Sequence, residues 1–126
     1  MTVGFAAAAV NGWLDSTFAT ANCFVQLHTA DPGAAGTTAA SASDATRKQA
    51  TMAAASGGSK AASANVGPWT NDGTPASETL THISLWSAVS AGTFNASAAL
   101  AASRTWNTGD TFTLTSLSVS ITPIAA

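Results

Sequence analysis

From Thr81 onward the chain keeps returning to one arrangement, a short run of alternating side chains closed by turn residues, and this restricts it to a fold of paired strands. Thr81 to Ala88 sets His82, Ser84 and Trp86 on one face against Ile83, Leu85 and Ser87 on the other. Ala91-Gly92 is read as a turn, and Thr93 to Ala101 as a further strand opening on Phe94. Asn107-Thr108-Gly109-Asp110 is a tight turn, and Thr111 to Leu114 follows it. Leu117, Val119, Ile121 and Pro123 then alternate with Ser118, Ser120 and Thr122. This is the clearest strand pattern in the chain, and the span 81–122 holds its best-defined strands. Short strands with frequent turns predict a mainly β fold, a β-sandwich or jelly-roll-like domain.

The first segment has a different period. Val3, Ala7, Val10, Leu14 and Phe18 make the stripe of an amphipathic helix, expected over about 3–18, with Thr2 as its N-cap. Gly4 and Gly12 weaken such a helix, so it needs a surface to pack on. A strand is expected from Asn22 to Thr29, ended by a structural turn at Asp31-Pro32-Gly33, where proline fixes one backbone angle and glycine permits a positive φ. Residues 34–46 have no period and are nearly all small. Arg47 to Ala54 and Ser59 to Val66 read as weak strands split by Gly57-Gly58. The whole of 34–67 is expected to be a long small-residue arm or loop with little apolar surface of its own to bury. With 126 residues the chain makes a single domain, 1–126.

Charge is the unusual quantity. Asp, Glu, Lys and Arg make up 8% of the residues, against roughly 25% in an average domain. A free monomer keeps itself soluble with charge, whereas the centre of an interface is depleted in it. The composition therefore favours a subunit surrounded by neighbours in a symmetric homo-oligomer, expected to be a trimer. Four basic residues cannot make the basic stripe that nucleic acid requires, so no nucleic-acid partner is expected. The longest apolar run, Phe5 to Val10, is far short of the roughly 20 residues that cross a membrane. No Lys or Arg precedes Arg47, so the basic start of a secretory signal is lacking. Cys23 is alone, which excludes an internal disulfide and suits a small buried hydrophobe.

Reactive constellations are sparse. His28 and His82 are the only histidines; with Asp31 or Asp110 and an abundant serine they allow a Ser-His-Asp set in composition alone. No G-x-S-x-G elbow occurs. One cysteine and two distant histidines make a poor zinc set, and no loop through Asp31, Asp72 or Asp110 has the EF-hand spacing. No catalytic residue, metal or cofactor is assigned, and both histidines are expected to be structural. Of the tryptophans at 13, 69, 86 and 106, Trp69 sits among Gly67, Pro68, Asn71, Asp72 and Gly73 in a loop. It is the candidate interface anchor or glycan contact.

Three motifs stand in order: Leu27-His28-Thr29-Ala30-Asp31-Pro32-Gly33, Thr81-His82-Ile83-Ser84-Leu85-Trp86, and Asn107-Thr108-Gly109-Asp110-Thr111, with the alternating strand after them. In this the chain resembles a group of small virion proteins of tailed phages that infect actinobacteria. The resemblance implies a non-enzymatic structural component of the virion, a minor tail or tail-associated subunit, or else a head decoration protein stabilising the capsid lattice. Its partners would be copies of itself and other virion proteins. A reading from another class is a carbohydrate-binding module that sets Trp69 or Trp86 against a host surface glycan.

Overall fold

A computed structural model describes every residue except Thr2, Pro123 and Ala126. The N-cap expected at Thr2 and the last position of the alternating run, Pro123, therefore lie outside the described residues. The chain runs α1 (Ala7–Thr17), a 3-10 turn (Thr20–Asn22), β1 (Phe24–His28), β2 (Lys48–Gln49), β3 (Ser59–Ala61), β4 (Val66–Thr70), β5 (Ser77–Trp86), β6 (Phe94–Asn107), β7 (Thr111–Leu114) and β8 (Ser118–Ser120). Paired strands and one N-terminal helix are the mainly β, sandwich-like domain that the alternation predicts.

The main sheet has the order β2-β1-β5-β6, antiparallel throughout. Pairing of Val25 with Leu85 and Leu27 with Ile83 sets these side chains on the inner face, and all four are buried. On the outer face Phe24, Gln26 and His28 lie opposite Trp86, Ser84 and His82. Between Leu80 and His82 the β5–β6 register slips. The slip changes the phase of β5, which is why Leu80 joins Ile83 and Leu85 in the core although their spacing breaks the alternation. A second layer consists of two small sheets, β3-β8 and β4-β7. The core fills the space between the layers, with Val66, Trp69 and Leu117 facing the inner side of the main sheet.

Helix α1 begins at Ala7 and not near residue 3. The residues before it are used elsewhere: Phe5 bridges Ile124, the Ala125 amide donates to the Phe5 carbonyl at 2.8 Å, and a side chain at Gly4 would come within 2.9 Å of the Ala125 Cα. Val3 is consequently exposed, while Val10, Leu14 and Phe18 keep the expected buried stripe. Two side chains fasten the helix to the β3 hairpin. Asp15 Oδ1 accepts from Lys60 Nζ at 2.6 Å and from the Ala55 amide, and Asn11 Oδ1 accepts from the Gly58 amide at 2.9 Å.

Residues 34–67 run over their own subunit. The Thr29 amide donates to the Ala39 carbonyl and the Ser41 amide to the Leu27 carbonyl, so residues 39–41 lie along the outer edge of β1 in line with β2. Glu78 anchors the next residues, accepting from the Ser41 hydroxyl and from the amides of Ala42 and Ser43. Short side chains let this stretch lie flat, and backbone and carboxylate bonds hold it where apolar burial is scarce.

Candidate interaction surface

At each of the two stretches expected to turn, an aspartate side chain accepts from a backbone amide nearby. Asp31 Oδ1 accepts from the Gly33 amide at 2.9 Å, with Gly33 at φ +75°. Asp110 Oδ2 accepts from the Asn107 amide at 2.9 Å, with Gly109 at φ +84°. The second turn is also tied inward, since the Gly109 amide donates to the Asn71 carbonyl and the Asn71 amide to the Asp110 carbonyl.

Trp69 is not the exposed loop ring that its neighbours in sequence predict. It lies in β4, is 0% exposed, packs on Phe112, and donates from Nε1 to the Thr46 carbonyl at 2.9 Å. The turn residues around it place the ring inside the sandwich, so it has no free face for a sugar or a neighbour. Trp86 is also buried, under the Arg47 guanidinium at 3.9 Å from the ring centre. The carbohydrate reading thus loses both rings it rested on. The exposed tryptophan is Trp13, at 49%, meeting Phe5 edge to face at 5.5 Å. Phe5, Ala9 and Trp13 recur at steps of four, a second stripe away from Val10, Leu14 and Phe18; that spacing was the signal available in the sequence.

Serine and histidine do meet, but deep in the fold. His28 and Ser84 are each 0% exposed. His28 Nε2 lies 2.7 Å from Ser84 Oγ, and the same oxygen accepts from Trp86 Nε1 at 2.8 Å. The other histidine nitrogen, Nδ1, donates to the Thr38 carbonyl at 2.9 Å and not to an aspartate. Burial lowers the His28 pKa, the Thr38 carbonyl opposes that shift, and nearby His82 adds to it. Burial also pushes the Cys23 thiol up to about 11, as suits an inert core cysteine. Among the described residues no cluster of three or more His, Cys, Asp and Glu is assembled that could hold a metal ion.

The surface left open is at β6. This strand is fourteen residues long and forms one edge of the main sheet. Its side chains from Ser97 to Thr105 are exposed apart from half-buried Leu100. Ala98 pairs with Ile83, so it belongs to the inner face, yet it too is exposed, because the second layer does not reach over this end. Between the layers an open groove holds two adjoining cavities of about 210 and 240 Å³ that share Ile83, Ala98, Leu117 and Ser118.

A search of curated proteins finds no match for this chain. The model of one protein family does match, over residues 4–122, and its description is podophage GP4 fiber I protein gp80. The match runs from the residues before α1 through β8, almost the whole of the fold described above, and so the chain belongs to this family of phage virion structural proteins.

Proposed function

We propose that the chain is a non-enzymatic subunit of a phage tail appendage, present in the virion as repeated copies. The observation that carries this reading is the family match, which spans residues 4–122 and so takes in every helix and strand from α1 to β8. Three features support it. The pair best suited to nucleophilic chemistry, Ser84 and His28, is sealed in the fold. The longest strand presents an exposed surface of alanine, serine and threonine on which Arg104 is the one charge. The loops are held by aspartate and glutamate caps on backbone amides, a rigid scaffold suited to assembly. The narrower likeness to proteins of actinobacterial phages belongs to the same reading, and rests on the three motifs alone.

Purified virions test it. Quantitative mass spectrometry is expected to find several copies of the chain per particle, and antibody labelling viewed by electron microscopy is expected to mark the tail. Labelling spread over the capsid would reassign the subunit to head decoration. Absence from washed particles would end the structural reading altogether.

A further inference from the structure

The main sheet has two edges and only one is covered. Along β1 the outer edge is taken by β2 and by residues 39–41. Along β6 from Phe94 to Thr105, among the described residues, no backbone hydrogen bond leaves the strand except toward β5; only at its far end does the Asn107 carbonyl accept from the Asp110 amide. Edge amides and carbonyls pair with water or with another strand, and natural edges that must stay single are blunted by charge, proline or brevity. β6 is not short, and from Phe94 to Ser103 it has neither a charged residue nor a proline. The register slip adds to the demand. Leu80 and His82 face Arg104 and Ala99, which leaves Leu100 to Ser103 with Thr81 alone opposite them.

We infer that β6 pairs antiparallel with β6 of a second copy across a twofold axis, joining two four-stranded sheets edge to edge. The occupant follows from the other edges of the molecule. β2 has two residues, β3 and β8 three each, β7 four, and β4 five, one of which is Pro68. Only another β6 offers an edge of equal length, and like meeting like is an isologous, twofold contact. The charges agree with this, since an axis near Leu100 sets Arg104 of each copy opposite Ala96 of the other and keeps the two guanidiniums apart. The incoming strand would also extend the inner face beside Ala98 and roof the open groove over Ile83 and Leu117. A twofold contact gives even numbers of subunits in place of the trimer expected from charge, which carries no information about symmetry.

The inference rests on the chain acting as repeated copies, but its test is separate from the virion experiment. Light scattering on the full chain at micromolar concentration is expected to give a dimer or an even multiple. Ala101→Lys places a charge on the exposed edge and is expected to give a monomer with the parent's far-UV spectrum. The paired substitutions Ala99→Cys with Ala101→Cys and Ser97→Cys with Ser103→Cys, which set thiols of the two copies opposite each other across the axis, are expected to form disulfide-linked dimers on mild oxidation. The parent protein, whose Cys23 is buried, is expected to form none. A parent monomer, an odd subunit number, or cross-linking with neither pair would overturn the inference. So would an Ala101→Lys variant that keeps the parent's mass. Tail labelling on virions would stand whichever way these results fall.

Discussion

His28 shows how a single side chain can fix part of the interior. Its Nδ1 faces a carbonyl, which only accepts, so Nδ1 must carry the hydrogen and Nε2 must be the acceptor. Ser84 then donates to Nε2 and accepts from Trp86. Protonating Nε2 would aim a second donor at the serine oxygen and leave the serine hydrogen without a partner in a buried site. The fold therefore favours neutral His28, in line with the lowered pKa that burial causes. The sign follows: below the unfolded value near 6.5 the unfolded chain binds the proton more readily, so this stabilisation is complete above that pH and declines as pH falls through the mid-acid range. Urea titrations at pH 7.5 and pH 5 are expected to give the lower midpoint at pH 5, and His28→Gln is expected to flatten the difference. Ser84→Ala leaves the histidine and indole nitrogens unpaired and is expected to cost about 2 kcal/mol or more. A loss near zero would mean that water replaces the hydroxyl. Gly33→Ala keeps its room, the nearest side-chain atom being Thr38 Oγ1 at 3.4 Å, but forces a side chain to φ +75°. It is expected to lower stability by roughly 1 kcal/mol.

At the level of elements, what could be read in the sequence depended on whether a pattern was set by burial or by pairing. β1 and the second half of β5 were legible because Val25, Leu27, Ile83 and Leu85 face a core while their neighbours face outward. β6 was read from Thr93 but only as far as Ala101, since Ala96 to Ser103 has no contrast between faces to display and the pairing with β5 that carries the strand on to Asn107 lies outside its own composition. The alternation over 117–122 promised the clearest strand, yet only Ser118–Ser120 ladder with β3, because that partner strand is three residues long. Trp69 was misplaced for a related reason: glycine and proline beside it mark a bulged strand, not an exposed loop. The helix end near residue 3 was lost to Ile124 and Ala125, contacts too distant in sequence to anticipate. The clasp between α1 and β3 was equally hidden, and it carries a prediction. The Lys60 side chain is 5% exposed and that of Asp15 44%. Asp15→Ala strands a buried ammonium on the Ala53 carbonyl alone, whereas Lys60→Met removes the charge and leaves a carboxylate that water can reach. Denaturation is therefore expected to rank Asp15→Ala as the more destabilising. The hydrogen bond from Lys60, then that from Ala55, lowers the Asp15 pKa. Its contribution is thus present above the ordinary carboxylate value near 3.8 and lost as pH falls through its lower folded value.

Over the whole molecule the two sheet edges differ, and under the edge-to-edge pairing inferred above this asymmetry sets where order would be gained on assembly. A small-residue stretch such as 34–67 has too little apolar surface to offset its own ordering, which argues from sequence for an arm that settles only on a neighbour. In the folded subunit its amides already have partners: Ser41 on Leu27, Ala50 on Cys23, Ala53 on Ala61, Ser63 on Thr51. β6 is the reverse case, anchored to β5 on one side and, from Phe94 to Thr105, without a backbone partner among the described residues on the other. Hydrogen exchange on the free subunit and on the assembled particle separates the two schemes. Free subunit is expected to show slow exchange at Ser41, Ala50 and Ala53, comparable to the amides paired between β1 and β5, and fast exchange at alternate amides from Asn95 to Ser103. On assembly the gain in protection is expected along β6, with little change over 34–67. Protection appearing only on assembly across 34–67, with β6 unchanged, would restore the arm and remove the edge from the interface. Fast exchange over 34–67 in both states would mean that the bonds holding Ser41 and Ala53 open too readily to stiffen the subunit, and the main sheet and α1 would be left as its rigid part.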